Sequence, residues 1–260
     1  MDICPQKLKH SILYYEKFQA PISMLLPPSM TRVTLIKRYK RFLADVAFDN
    51  GDTLTAHCAN TGAMTGLSTP GLPVWVWQSD NEKRKLPWSL ELVELPSGLV
   101  GINTSQPNRL VAEALANKHI APLTPYSNVR AEVKYGEKSR IDFLLSEPGL
   151  PDCYLEVKNV HYSRQTGLAQ FPDSPTERGA RHLLEMANMC ALGHRAVTIY
   201  VIQRTDCTAF SLCPDNDPAY VSAFKQAHAA GVEAYAYACD ISSKEIKRKI
   251  SPKPGMGLVT

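Results

Sequence analysis

None of the seven cysteines in this 260-residue chain forms a CxxC pair, and none clusters with histidine. That spacing excludes a zinc ribbon or finger. An odd number scattered from Cys4 to Cys239 also excludes a closed disulfide scaffold, so reduced thiols in the cytoplasm are expected. No apolar run approaches the roughly 20 residues that span a bilayer, and "ISMLL" near the start is too short for a secretory core. Repeats and low-complexity tracts are missing. So is a helix-turn-helix with a recognition helix, and promoter reading by that motif is therefore unsupported. Charge of one sign is scarce: +4 overall permits a polyanionic partner without arguing for one.

What is present is core. At 44% apolar residues the chain can build one large domain or two modest ones. Residues 1–29 have no clear period and end in "LLPPSM", whose prolines resist a helix running onward, so they read as an appended N-terminal extension. From Thr31, "TRVTLIKRYKRFLADVAF", the turn "DNGD" and "TLTAHCAN" read as a hairpin. "PVWVWQ", "WSLELVEL" and "GLVGIN" follow, and about five short strands within 30–104 predict an OB-like β-barrel.

The texture changes at Pro107. "PNRLVAEALANKH" sets Leu110, Val111, Ala114 and Leu115 on one helical face, which opens a second domain over 105–250, followed by a tail at 251–260. The strands "NVRAEVKY", "RIDFLL" and "CYLEVKNV" precede a helix in "SPTERGARHLLEMANMCALG". Ser174 is its expected N-cap, Pro175 its first residue, Glu177 the partner in a capping box and Gly193 the stop. "AVTIYVIQ", the helix "DPAYVSAFKQAHAAG" and "VEAYAYAC" complete an alternation of strand and helix that implies parallel, right-handed crossovers. The first half thus reads as all-β and the second as α/β.

Asp142, Glu156 and Lys158 interrupt a hairpin otherwise committed to a core. Residues two apart on a strand share a face, and paired strands lie about 5 Å apart, so all three can reach one cleft. Two carboxylates and the carbonyl of Val157 make a hard oxygen site suited to Mg2+ or Mn2+, and a lysine beside it can position a water or steady a charged transition state. This is the D…(D/E)xK pattern of metal-dependent nucleases. Acid-x-Lys triplets also occur as ion pairs on exposed strands, and it is the helix, three-strand, helix, strand order around this one that favours chemistry. Glu113 on the opening helix reads either as a further catalytic acid or as a solvated side chain.

Other candidates bear on nucleic acid. Arg178 and His182 crowd the first turns of a helix, where backbone N–H groups favour an anion. In the first domain Lys37, Arg38, Lys40 and Arg41 surround Tyr39, and Lys83, Arg84 and Lys85 occupy a loop between strands. Cations with an aromatic among them are how OB surfaces hold DNA or RNA, and a solvated basic rim is the competing reading.

"LIKRYKRFLADV", "HCANTGAMTG", "SDNEKRKLPWSLELVE", "VKYGEKSRIDFLL", "CYLEVKNV" and "FPDSPTERGARHL", in this order, resemble the sugar fermentation stimulation protein A family from about Thr31 to Ala238. The resemblance implies an N-terminal OB-like domain and a restriction-endonuclease-like α/β domain. It also implies non-specific DNA binding and a regulatory part in sugar, notably maltose, use. Asp142, Glu156 and Lys158 stand at the family's nuclease-like positions and Glu113 at that of its helix acid. The family begins only a few residues before "LIKRYKRF", which leaves 1–29 outside it. Two functions stay open: a Mg2+- or Mn2+-dependent nuclease, and a DNA-binding regulator that keeps the nuclease fold as a scaffold.

Overall fold

The structure, a computed structural model, describes residues 12–14, 18–27, 29–136 and 139–250. Six strands make the first unit: β3 (Thr31–Tyr39), β4 (Leu43–Ala47), β5 (Thr53–Cys58), β6 (Pro73–Gln78), β7 (Trp88–Leu95) and β8 (Gly98–Gly101). They run in the order β5-β4-β3-β6-β7-β8, and a β5–β7 pairing at His57–Ser89 and Cys58–Leu90 closes five of them into the OB barrel. Alternation writes the core, with Val33, Leu35, Ala44, Val46, Val74 and Val76 inward and almost fully buried. "KRYKRF", expected inside one long strand, instead holds a tight turn. Lys40 and Arg41 both take left-handed φ, at 48° and 66°, the conformation that joins β3 to β4 in register.

The second unit adds α1 (Gln106–Ala116), β9 (Asn128–Tyr135), β10 (Ser139–Ser146), β11 (Cys153–Val160), β12 (Tyr162–Gln165), β13 (Gly167–Phe171), α2 (Glu177–Ala191), β14 (Arg195–Ile202), β15 (Cys207–Leu212), α3 (Pro218–Ala229), β16 (Glu233–Ile241) and β17 (Glu245–Ile250). β11, β14 and β16 are parallel, with α2 and α3 as the crossovers, while β9, β10 and β17 pair antiparallel. One core lies against α1 around Leu110, Leu155 and Ile199, and the other lies under α2 and α3 around Leu183, Tyr200 and Phe224. The apolar stripe of α1 is as read, but the cap of α2 is not Ser174. Thr176 takes that role and accepts from the Gly179 N–H at 3.1 Å.

The segment read as an appended extension carries β1 (Ile12–Tyr14) and β2 (Phe18–Leu25), paired antiparallel with β15 and β17. β2 is the last strand of the seven-stranded sheet β2-β17-β16-β14-β11-β10-β9. Its Pro21 is tolerated because an outer strand need not donate on both sides. β12, β13 and β15, which the sequence left unassigned, form with β1 a second, four-stranded sheet. The tail 251–260 lies outside the described residues. Among those described, no helix is long and apolar enough to cross a membrane.

Candidate active site

The pairing of β10 with β11 runs from Leu145–Cys153 to Phe143–Leu155 and then stops. One residue further on, Asp142 and Glu156 face each other where the strands part. Asp142 fills the gap by accepting the Val157 N–H on Oδ2 at 2.7 Å and the Asn108 amide on Oδ1 at 2.8 Å. A strand residue points its N–H and C=O to the same edge, so the Val157 carbonyl faces the gap that Asp142 bridges. A cleft of about 520 Å3 opens here, walled by Asn108 of α1, Glu132 of β9, Asp142, Glu156, Lys158, Asn159 and the first turn of α2 at Arg178 and Gly179.

Glu156 is 5% exposed, and its two oxygens fare differently. Oε1 accepts from Lys158 Nζ at 2.7 Å and meets His182 Nδ1 at 2.9 Å. Oε2 is buried with no hydrogen-bond partner. Burial works against the Glu156 charge, but Lys158 and His182 outweigh it and hold the carboxyl below its ordinary range. Asp142 goes the other way: burial and then the charge of Glu156 push it up to about 6, against the two hydrogen bonds it accepts. An orphaned carboxylate oxygen costs about 1–3 kcal/mol, and a carboxyl raised by its neighbour adds to that. A hard cation between the two relieves both, so the donors fit Mg2+ or Mn2+ held by Asp142, Glu156, the Val157 carbonyl and water. As the side chains stand, no three His, Cys, Asp or Glu groups among the described residues converge to hold an ion unaided.

Several expected site residues lie elsewhere. His182, taken for a phosphate contact, is 3% exposed and sits behind Glu156. Its Nδ1 faces the carboxylate and its Nε2 lies 3.4 Å from Arg178 Nε, which assigns the ring proton to Nδ1. It positions an acid instead of meeting solvent. Glu113 is not brought to the cleft: five residues beyond Asn108 it has turned roughly 140° around α1, and Asn108 has the place. Arg178 is exposed and lines the cleft from the first turn of α2.

The basic residues of the barrel also divide. Arg38 gives Nη2 to the carbonyls of Arg41, Asn60 and Gly62 at 2.7–2.9 Å, so it holds the β3–β4 turn and the loop that follows β5. Arg38 also lines a second cleft of about 640 Å3, together with the exposed Arg41 and with Thr61, Gly62, Asp173 and Ser174. Thr176 walls both clefts, so they are neighbours across the domain junction. Lys37 pairs with Asp45 at 3.4 Å over the ring of Tyr39, and Arg84 donates to Ser89 at 2.8 Å over Trp77. Lys40, Lys83 and Lys85 are exposed and line neither cleft. Asp173, which lines the second cleft, has a partner with no counterpart among the expected residues: His161 Nε2 lies 3.4 Å away, and burial is outweighed by His161, leaving the Asp173 carboxyl below its usual range. Gly62 is required beside it, because a Cβ there would stand 2.6 Å from Asp173 Oδ2.

With the barrel, the α/β unit and the cleft between them described, comparison decides the family. The sequence profile of the sugar fermentation stimulation protein RE domain matches residues 105–245, and that of the N-terminal OB domain matches 36–102. The chain belongs to the sugar fermentation stimulation protein family. Homologues so named in Agrobacterium fabrum and Allorhizobium ampelinum are 51% and 52% identical over 223 residues, 86% of this chain and 93% and 95% of theirs. A Caulobacter vibrioides homologue is 48% identical over 86% of this chain and 94% of its own. Pyrococcus furiosus SfsA, solved in complex with Ca2+, superposes with a TM-score of 0.77 over 91% of this chain and 97% of that one. At 21% identity this speaks for the shared fold.

Proposed function

We propose that this member of the family is a divalent-cation-dependent phosphodiesterase acting on nucleic acid, DNA or RNA, within a restriction-endonuclease-like second domain. The observation that carries the reading is Glu156: one oxygen is fixed by Lys158 and His182, and the other is buried, unpartnered and next to an Asp142 whose carboxyl is pushed up to about 6. That Pyrococcus furiosus SfsA was solved with Ca2+, another oxygen-seeking cation, supports a hard ion here.

When bound, Mg2+ or Mn2+ polarises the scissile phosphate and acidifies a water. The chain supplies the rest. Asp142 and Glu156 would hold the ion, while Asn108 and the Val157 N–H orient Asp142 and His182 orients Glu156. Lys158, which holds Glu156 Oε1 at 2.7 Å, would place its ammonium beside the charge that develops on the phosphate. Arg178 at the rim and Arg41 in the adjoining cleft take flanking phosphates, and the exposed Lys37, Lys40, Lys83 and Lys85 add sequence-independent attraction. We place the activity in the cytoplasm, because the described cysteines are free thiols, and we carry over from the family a part in controlling sugar, notably maltose, use.

One observation favours the scaffold reading: Lys158 and Glu156, 2.7 Å apart, already form an ion pair that needs no metal. Labelled single- and double-stranded DNA and RNA, incubated with the protein in Mg2+, Mn2+ or EDTA, separate the two. Cleavage with cation and none with EDTA is expected. Binding without cleavage in every arm leaves the scaffold.

A further inference from the structure

The β9–β10 pairing is regular on both sides of one position. Ile141 pairs with Val133 and Phe143 with Ala131, so Glu132 lies across from Asp142 in the unpaired step between them. On its other side Asp142 faces Glu156. Three carboxylates thus stand abreast on three neighbouring strands, and all three line the cleft. Like charges on adjacent strands repel, a cost that a cation bound among them would lower.

The backbone repeats the point. Glu132 has φ 56°, left-handed and unfavourable for a residue with a Cβ. Alternation in β10 breaks at the same place: Ile141 and Leu144, three residues apart, both enter the core under α2 and α3. The sheet is wrenched at this one step, and the residue in the strained conformation is an acid that a glycine could replace without strain. Its side chain is exposed, 3.8 Å from Arg140, a pair worth little in water, and does not converge with the other two as it stands. The independent sign of a ligand is Glu156 Oε2, buried at the floor of the same cleft with nothing bound to it.

We infer that Glu132 is a third carboxylate of the divalent-cation site, turning from Arg140 to the ion or to its water shell. The inference rests on the cation-site reading above. It explains why strain is kept at Glu132, and it matches the chemistry of Mg2+ and Mn2+, which retain several waters and are fixed by carboxylates around them.

The test is Mn2+ alone, titrated calorimetrically into wild type, Glu132→Gln, Glu132→Gly and Asp142→Asn, together with their melting temperatures in EDTA. Glu132→Gln should weaken Mn2+ about tenfold while melting in EDTA no lower than wild type. Glu132→Gly should weaken it equally and melt in EDTA at or above wild type, because glycine relaxes the left-handed φ. Wild-type affinity in both variants, with Asp142→Asn impaired, overturns the role of Glu132 and leaves the two-carboxylate site standing. A drop in melting temperature in both, without weaker binding, makes Glu132 structural and overturns it as well. No Mn2+ binding by wild type overturns the cation-site reading itself.

Discussion

Two buried glutamates show how the same group serves two ends. Glu91 of β7, 2% exposed, accepts from Trp77 at 2.7 Å, from Asn103 at 2.8 and 2.9 Å, and from Gln106 at 3.2 Å. Every donor is neutral, both oxygens are served, and the last donor opens α1, so this acid ties the barrel to the α/β domain. Glu156, equally buried, has one oxygen held by a cation and an imidazole and the other held by nothing. A buried acid with all its bonds made is a joint. One that lacks a partner, beside a second acid forced upward in pKa, is what the proposed cation site requires.

Exchanging each glutamate for glutamine breaks the comparison most sharply. Glu156→Gln should cut phosphodiester cleavage by roughly three orders of magnitude, since a metal ligand is lost, while nucleic-acid affinity is largely kept. Glu91→Gln should leave cleavage per folded molecule unchanged but cost about 2–3 kcal/mol, because an NH2 must now face a donor. Cleavage assays and denaturant melts check both, and similar profiles in the two variants would dissolve the distinction.

A smaller effect follows from Asp142. Its carboxyl sits at about 6 in the fold against an ordinary 3.8, so the folded state binds the proton more tightly. This contribution to stability is fully present below about pH 4 and is lost as pH rises through about 6. In EDTA, Asp142→Asn should match wild type near pH 4 and exceed it by roughly 2 kcal/mol above pH 7. The asparagine oxygen can keep the Val157 N–H if Asn108 turns its amide. A gap that does not change with pH would contradict the assignment.

The arginines of the β3–β4 turn repeat the contrast at lower amplitude. Arg38, with three carbonyls to satisfy, should destabilise when changed to alanine. Arg41→Ala should only lower the slope of log affinity against log salt by about one unit, measured by fluorescence titration of a labelled oligonucleotide. An unchanged slope moves the phosphate path away from the second cleft.

Much of this was legible in residues and much was not, for physical reasons. Runs of β-branched and aromatic residues bounded by turn signals exposed the barrel strands, and the α1 stripe and the β11-α2-β14-α3-β16 order exposed the α/β unit. Asp142, Glu156 and Lys158 were visible because charge stood where a core was being built. The turn at Lys40–Arg41 was hidden, since both left-handed residues are non-glycine and the Arg38 side chain that bonds the Arg41 carbonyl also reaches across sequence to Asn60 and Gly62. β2 was hidden because its residues show no clear period and include Pro21, which an outer strand tolerates. Thr176 and Ser174 are both plausible caps, and the backbone chose between them. Glu113 looked better than Asn108 because acids attract attention near a metal site, whereas helical rotation decides which one arrives. Glu132 carried no signal at all, because a left-handed φ leaves no mark on sequence when glycine is not used.

The central claim is that Glu156 Oε2 and Asp142 await a divalent cation, and thermal melting with and without millimolar Mn2+ tests it most directly. At a hundredfold excess over its dissociation constant the ion should add about 2.7 kcal/mol, raising the wild-type melting temperature by roughly 5–10 °C. Glu91→Gln should keep that rise, and Asp142→Asn and Glu156→Gln should lose it. A wild-type melting temperature that Mn2+ does not move would contradict the account and leave the cleft a structural ion pair.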